Sequence, residues 1–336
     1  MMKAGWERSN EYIMPDMYTI QNMLNPFLKG KRIDQVQRLS GGLNNSNIKI
    51  ITNTNEIFVL RIYPKENKSM KIESEIAKLL EGRVPVPKVL YSDSSCSVFN
   101  YPFLLMNWVR GEQLSEMMDR KNEKIIWRAA TAAGAALAEV HKMKFHDSGF
   151  FDGQLNIKEH VKINANTFIA FIEEILKKGY VIKHIGGKLC SSVLNFSKEH
   201  AFLLDDPGEQ NSLVHSDFNP LNILVEEEDS SIRISAILDW EYAFSGSPLI
   251  DIGNMLRYEG VTSIGMLKPF ILSYRENGGV LLHEWLQRAK LLDLIALLDL
   301  LNKEECGEVR VKDITRLISH TMDEWERYAA VQMALN

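Results

Sequence analysis

With 336 residues, 45% of them hydrophobic and 25% charged, the chain is long enough to bury a large core in two lobes and has the make-up of a soluble globular protein. Its 39 basic and 44 acidic residues leave a net charge of -5, which argues against a nucleic-acid partner, since such a partner favours a basic stripe. Three cysteines, Cys96, Cys190 and Cys306, are odd in number, far apart and without a Cys-x-x-Cys pair, so neither a disulfide framework nor a zinc site is expected.

The first ten residues contain no apolar h-region, so no secretory signal is expected, and a reducing cytoplasm is the simplest setting for the thiols. Residues 16–29 read as a helix, with Met17, Ile20, Met23, Leu24 and Phe27 at helical spacing. Strand-like runs follow at 33–39, 47–52 and 57–63. Between the first two lies Ser40-Gly41-Gly42-Leu43-Asn44-Asn45-Ser46, rich in residues that tolerate unusual backbone angles. Such a loop lets backbone N–H groups approach phosphate oxygens, and an ordinary hairpin turn has the same composition. Arg61 lies inside the third run, where it is either an exposed edge residue or a cation with a task.

A helix is expected over 68–81, its buried side set by Ile72, Ile76, Leu79 and Leu80; Glu73 borders that side and Glu75 leans further out. After Pro85 and Pro87 come two more strands, at 88–91 and 97–105, the second running into a polar connector that ends at Gly111. Residues 122–144 form an alanine-rich helix suited to close packing, with His141 near its end as a packing and capping residue. A loop at 145–157 and helices at about 158–179 and 187–204 lead into the most informative stretch. Beyond it, residues 261–332 read as helical; the greasiest run, 291–301, is too short to span a membrane and carries Asp293 and Asp299.

That stretch, Leu213 to Val225, reads His215-x-Asp217-x-x-x-x-Asn222 between apolar runs. In a kinase loop of this form the Asp accepts the proton of the attacking hydroxyl, and the Asn reaches a magnesium ion on the nucleotide phosphates. After a second apolar run, 232–238, stands Asp239, placed as a second metal ligand and followed by Trp240 and Glu241. The acidic turn at 226–231 is a solvated hairpin tip, which brings Asn222 and Asp239 to the same end of the two strands.

Together with Val84-Pro-Val-Pro-Lys-Val-Leu90 and residues 237–253, this stretch resembles the aminoglycoside phosphotransferase family and the related choline-kinase-like small-molecule kinases, over roughly residues 35 to 300. The resemblance implies an α+β, protein-kinase-like bilobal fold. A small N-terminal lobe of antiparallel sheet with one helix would cover 1–106, a hinge 107–111, and a larger, mainly helical C-terminal lobe 112–336. It implies Mg2+ and ATP or GTP as phosphate donor, a small hydroxylated acceptor, no nucleic acid or membrane partner, and a monomer or homodimer.

By residue, the resemblance puts Ser40, Gly41 and Gly42 over the phosphates and Arg61 in the place of the third-strand lysine, fixed by Glu73 or its rival Glu75. Arginine keeps the charge and binds phosphate bidentately, with a longer planar head. The backbones of Asn107 and Val109 would meet adenine. Asp217 is the base, Asn222 and Asp239 hold the metal, His215 and Asp251 support the catalytic loop, and Asn219 and Glu241 face the acceptor. For an aminoglycoside, Glu241, Asp299, Glu304, Glu305 and Asp323 are available carboxylates; choline, homoserine, methylthioribose or a sugar would suit the same scaffold. A protein kinase is disfavoured because only a tight connection separates Asp239 from Asp251, with no Ala-Pro-Glu segment, and the intact Asp217, Asn222 and Asp239 disfavour a non-catalytic nucleotide-binding protein.

Overall fold

The structure, a computed structural model, describes residues 2–3, 5–40, 42–64, 68–205, 211–228, 231–260 and 265–335. Helix α1 (Met17–Leu28) starts where the Asp16 carboxylate accepts the Thr19 N–H at 2.7 Å, satisfying one of the donors a helix start leaves unpaired. Strands β1 (Ile33–Arg38), β2 (Ser46–Thr52) and β3 (Ile57–Ile62) follow, then helix α2 (Ser69–Leu80), then β4 (Val89–Asp93) and β5 (Phe103–Asn107). All pair antiparallel, in the order β1-β2-β3-β5-β4. Burial alternates along β2, and Ile48 and Ile50 join Leu60, Ile62 and Phe103 in a core closed by Ile20, Met23 and Leu24 of α1.

The strand expected over 97–105 begins only at Phe103. Upstream, the Asp93 carboxylate accepts the Ser95 N–H (2.7 Å) and the Ser95 hydroxyl accepts the Ser97 N–H (3.2 Å). Such local side-chain bonds offer the backbone an alternative to a ladder.

The larger lobe begins with β6 (Glu112–Gln113) and α3 (Leu114–Asp119), then α4 (Glu123–His141), β7 (Gly149–Phe151), β8 (Ile157–His160), α5 (Ala165–Lys177) and α6 (Tyr180–His200). Strands β9 (Ser212–Val214), β10 (Ile223–Glu228), β11 (Ser231–Ile237) and β12 (Phe244–Gly246) flank the segments that hold Asp217, Asn222 and Asp239. They are followed by α7 (Leu249–Met255), α8 (Leu267–Glu276), α9 (Trp285–Leu301), α10 (Glu308–Asp323) and α11 (Trp325–Leu335). Two small sheets, β11-β10-β6 and β8-β7-β12-β9, sit among these helices. The protein therefore has an antiparallel-sheet lobe and a mainly helical lobe, the kinase-like arrangement the sequence implied.

The local differences have physical causes. The span 145–157 contains β7 and the start of β8, because Phe244 and Ser245 of β12 offer a pairing edge. The helix expected from 158 starts at Ala165, behind a reciprocal cap between Asn164 and Thr167. The helix expected from 187 follows Gly186 (φ 80°, ψ 153°), a conformation that requires glycine, and a further helical stretch from Tyr180 precedes that break. Among the described residues, no helix is long and apolar enough to cross a membrane.

Helices α4 and α8 meet where α4 carries Gly134: a Cβ there would lie 2.2 Å from the Phe270 carbonyl oxygen and 3.0 Å from the Tyr274 nitrogen. Both are backbone atoms that cannot swing aside. Gly134→Ala is therefore expected to lower stability by about 1–3 kcal/mol despite the better helix propensity of alanine. Denaturant unfolding checks this; an unchanged midpoint would contradict the close packing.

Candidate active site

The loop between β9 and β10, which carries His215, Asp217 and Asn222, hangs on a fully buried carboxylate. Asp251 of α7 accepts the His215 N–H through Oδ2 and the Ser216 N–H through Oδ1, both at 2.8 Å. The loop needs this clamp because Ser216 is held at φ 63°, left-handed backbone that a non-glycine residue adopts only when its surroundings enforce it. His141 stands behind the clamp, with Nε2 3.2 Å from Asp251 and Nδ1 2.8 Å from the Tyr274 hydroxyl. Burial lowers its pKa, so the neutral ring is favoured. His141 is thus more than a helix end: it orients the carboxylate that orients the loop.

The ring of His215 is fixed at both nitrogens. Nδ1 accepts the Asp217 N–H (3.2 Å), so the proton sits on Nε2, which lies 2.8 Å from the Leu238 carbonyl. Its face rests on Trp240, with ring centroids 4.4 Å apart. The Leu238 N–H in turn donates to the Asn222 carbonyl (2.8 Å), which ties the end of the loop to the residue before Asp239. Asp239, like Ser216, has left-handed backbone, at φ 70°.

Asp217 receives three side chains. Asn219 Nδ2 donates to Oδ1 (2.8 Å), Asn222 Nδ2 to Oδ2 (2.9 Å), and Lys3 Nζ to Oδ1 (2.9 Å). Burial favours the protonated acid, but the Lys3 ammonium outweighs it, with Arg257 adding to its effect. The pKa therefore falls below the ordinary value and the carboxylate is ionised at neutral pH. Asn222 turns its amide nitrogen to Asp217, so its side-chain carbonyl oxygen points away from that carboxylate.

On the opposite wall Arg61 of β3, 5% exposed, joins three carboxylates. Nη1 donates to Glu73 of α2 at 3.1 Å, Nη2 donates to Asp239, and Glu241 lies 3.8 Å away. Tyr63 donates its hydroxyl to Glu73. Glu75 pairs instead with Lys78 on the exposed side of α2, so Glu73 is the partner. Burial opposes the Arg61 charge, yet Asp239, Glu73 and Glu241 overcome it and its pKa is raised. Burial and Asp239 push Glu241 up to about 7. The cluster thus carries more negative charge than Arg61 neutralises.

Several sequence expectations meet a different arrangement. Glu241, assigned to the acceptor, is buried against Arg61, with its other oxygen 3.4 Å from the Ser69 hydroxyl of α2. Asn219, also assigned there, braces the loop: its amide nitrogen bonds Asp217 and its oxygen accepts the Leu221 N–H (3.0 Å). The Asn107 N–H is already donated to the Lys88 carbonyl (3.1 Å), so only its carbonyl and the backbone from Val109 remain for an adenine. Ser40 and Gly42 line the cleft, Gly42 at φ 73°, and Gly41 lies outside the described residues.

The cleft between the lobes has a volume of about 2080 Å³ and is bounded by Asp217, Asn222 and Asp239. Its far wall is largely apolar, with Ile126 and Trp127 of α4, Phe150 of β7, Phe168 and Phe171 of α5 and Ile295 of α9. Of the acidic helix residues expected to meet an amine, Asp299 lines this wall, while Glu304, Glu305 and Asp323 are exposed and outside it. The sequence reading missed Lys3 and Trp6, which also line the cleft; no periodicity or motif marks the segment that carries them.

A nucleotide-sized cleft under a glycine-containing loop, a buried cation on the third strand and an acid-amide-acid set at the lobe junction define a kinase that phosphorylates hydroxyl groups. The chain belongs to the phosphotransferase enzyme family (APH), whose family model matches residues 35–279. No curated protein matches it. Among solved structures it is similar to a GDP complex of aminoglycoside 2'-phosphotransferase-IIIa, at 17% identity and a TM-score of 0.65 over 95% of this chain and 99% of that one. It is also similar to a ternary complex of a thermostable aminoglycoside phosphotransferase APH(4)-Ia with AMP-PNP and hygromycin B (16%, 0.60, 89% and 98%). A third likeness is to macrolide 2'-phosphotransferase MphH from Brachybacterium faecium (16%, 0.60, 90% and 97%). At these identities the likeness speaks for the fold.

The clamp on the loop makes a direct prediction. Asp251→Ala leaves two buried backbone N–H groups without an acceptor and should cost about 3 kcal/mol or more, whereas Asp251→Asn, which keeps one acceptor, should cost less. Denaturant unfolding of both variants separates them; equal stability of the two would count against the clamp.

Proposed function

We propose that the protein transfers the γ-phosphoryl group of ATP or GTP to a hydroxyl of a small molecule, with Asp217 as general base. The observation that carries this reading is the convergence of Asp217, Asn222 and Asp239 on one cleft, opposite Arg61. Phosphoryl transfer passes through a loose transition state and asks a protein mainly for alignment and for neutralising charge. Asp217 orients the acceptor hydroxyl and takes its proton. Arg61, held by Glu73, positions the α- and β-phosphates. The loop around Ser40 and Gly42 covers the phosphates with backbone N–H groups.

The residues present fit a magnesium ion. Among the described residues, no cluster of three or more His, Cys, Asp or Glu could hold a metal by itself. Mg2+, however, is usually held by one or two side chains together with substrate phosphates and water. Asp239 and the Asn222 carbonyl oxygen would serve, and the excess negative charge around Arg61 favours a divalent cation there. Bound there, the ion would supply positive charge against the phosphates during transfer.

For the acceptor, apolar side chains such as Trp127, Phe150 and Phe171 would receive a broad hydrophobic face, while Glu116, Asp119, Glu123, Glu159 and Asp299 along the same cleft would meet cationic or hydroxyl groups. An aminoglycoside-type acceptor remains the family expectation, and the fold also serves metabolite alcohols. The three cysteines, none in a disulfide, fit a cytoplasmic enzyme with access to nucleoside triphosphates.

Asp217→Ala should lower turnover by about 10²–10⁴ while nucleotide affinity stays nearly unchanged. The measurement is ADP release with a panel of aminoglycosides, other hydroxylated antibiotics and metabolite alcohols; wild-type turnover in the variant would rule out the assigned base.

A further inference from the structure

Met2, Lys3, Trp6 and Ser9, which precede α1, line the cleft, and residues 6–9 are anchored in both lobes. On the large lobe, Trp6 is 7% exposed and its indole N–H donates to Asp313 of α10 at 3.3 Å. Glu7 pairs with Arg310 of α10 (3.0 Å), whose guanidinium is buried and also donates to the Glu7 carbonyl (2.7 Å). Gly307 allows this contact, since a Cβ there would lie 2.4 Å from the Glu7 carboxylate. On the small lobe, Arg8 donates to the carbonyls of Gly42 and Asn45, the latter at 2.9 Å, and the Ser9 N–H donates to the Leu43 carbonyl (2.8 Å). The segment is thus stitched to the loop that covers the phosphates and to the helix behind the acceptor wall. Between these anchors and the reacting centre stands Lys3, whose Nζ lies 2.9 and 3.3 Å from the two oxygens of Asp217.

We infer that Lys3 is a working part of the transfer site: held by the Trp6 and Glu7 anchors, its ammonium aligns Asp217 and neutralises the phosphoryl group as it passes to the acceptor. This rests on the phosphotransferase reading above. In the step, the acceptor oxygen bonds to the γ-phosphorus, the bond from that phosphorus to the β-phosphate oxygen breaks, and the hydroxyl proton goes to Asp217. Lys3 keeps its protons throughout. The transferring group spreads negative charge over three oxygens, and a positioned cation beside it is the kind of group that accelerates this reaction most.

Other cations near the centre are already committed. Arg61 serves the nucleotide side with Glu73 and Asp239, and Arg257 is tied to Asp293 at 2.6 Å and to Asn254 at 2.8 Å. The anchoring argues against a removable plug over the base: releasing the segment would expose Trp6 and strip the buried Arg310 of its carboxylate.

The test uses the full chain with Lys3→Met, Lys3→Arg and Asp217→Asn. Turnover is read as magnesium-ATP hydrolysis and as transfer to any accepted alcohol, and affinity is read for magnesium-ADP with and without aluminium fluoride, which mimics the phosphoryl group in flight. Lys3→Met should lower turnover and the fluoride-complex affinity about 10²-fold while ADP affinity stays within about threefold, and Lys3→Arg should restore most of the loss. Unchanged or raised turnover in Lys3→Met, with undiminished fluoride-complex affinity, overturns the inference. If Asp217→Asn keeps wild-type turnover, the phosphotransferase reading itself fails; if it is inactive while Lys3→Met behaves as wild type, only the role of Lys3 fails.

Discussion

The buried guanidinium of Arg61 is the interaction on which the two lobes depend. It ties a strand of the small lobe to Glu73 on α2 and, across the cleft, to Asp239 just after β11. A charge taken out of water is costly unless it is paired and hydrogen-bonded, so burying Arg61 obliges these carboxylates to stay close. Three acids around one cation overfill the site with negative charge, and Glu241 responds with a pKa near 7. That surplus is what a magnesium-bound triphosphate would meet. On the proposed reading, the cluster that joins the lobes also receives the nucleotide.

A second constraint acts from behind. Asp251 sets the backbone of the catalytic loop, His141 sets Asp251, and Tyr274 sets His141, so a line of hydrogen bonds runs from α8 through α4 and α7 to Asp217. Each link satisfies a buried polar group, which is why the loop can hold residues 216 and 239 in left-handed backbone. Rigidity here is useful because transfer depends on where the acceptor oxygen stands relative to the phosphorus.

Much of this was legible in the chain, for reasons of spacing. Asn222 immediately precedes β10 and Asp239 closely follows β11, so the pairing of Ile223 with Ile237 in that hairpin brings them together, and Asp217 stands five residues before Asn222 in the same loop. Glu73 could be preferred over Glu75 because the apolar positions of α2 define its buried side. What was illegible depends on distant contacts. Asn219 and Glu241 are polar residues beside a motif, and nothing local says whether they face the acceptor or the loop; the buried Arg61 decides for Glu241, and the carboxylate of Asp217 decides for Asn219. The strand expected at 97–102 is apolar enough in places, but serine and aspartate side chains hold the backbone in turns. Trp6 and Glu7 are held by residues some three hundred positions away, Asp313 and Arg310, which no periodicity can announce.

The most direct test of the central claim is a calorimetric titration with a nonhydrolysable ATP analogue, with and without magnesium, on the wild-type chain and on Asp239→Ala. Convergence of Asp239 and Asn222 on a metal-bound triphosphate predicts tighter binding with magnesium and a loss of that gain, by at least about tenfold, in the variant. Equal affinity in all four titrations would contradict it.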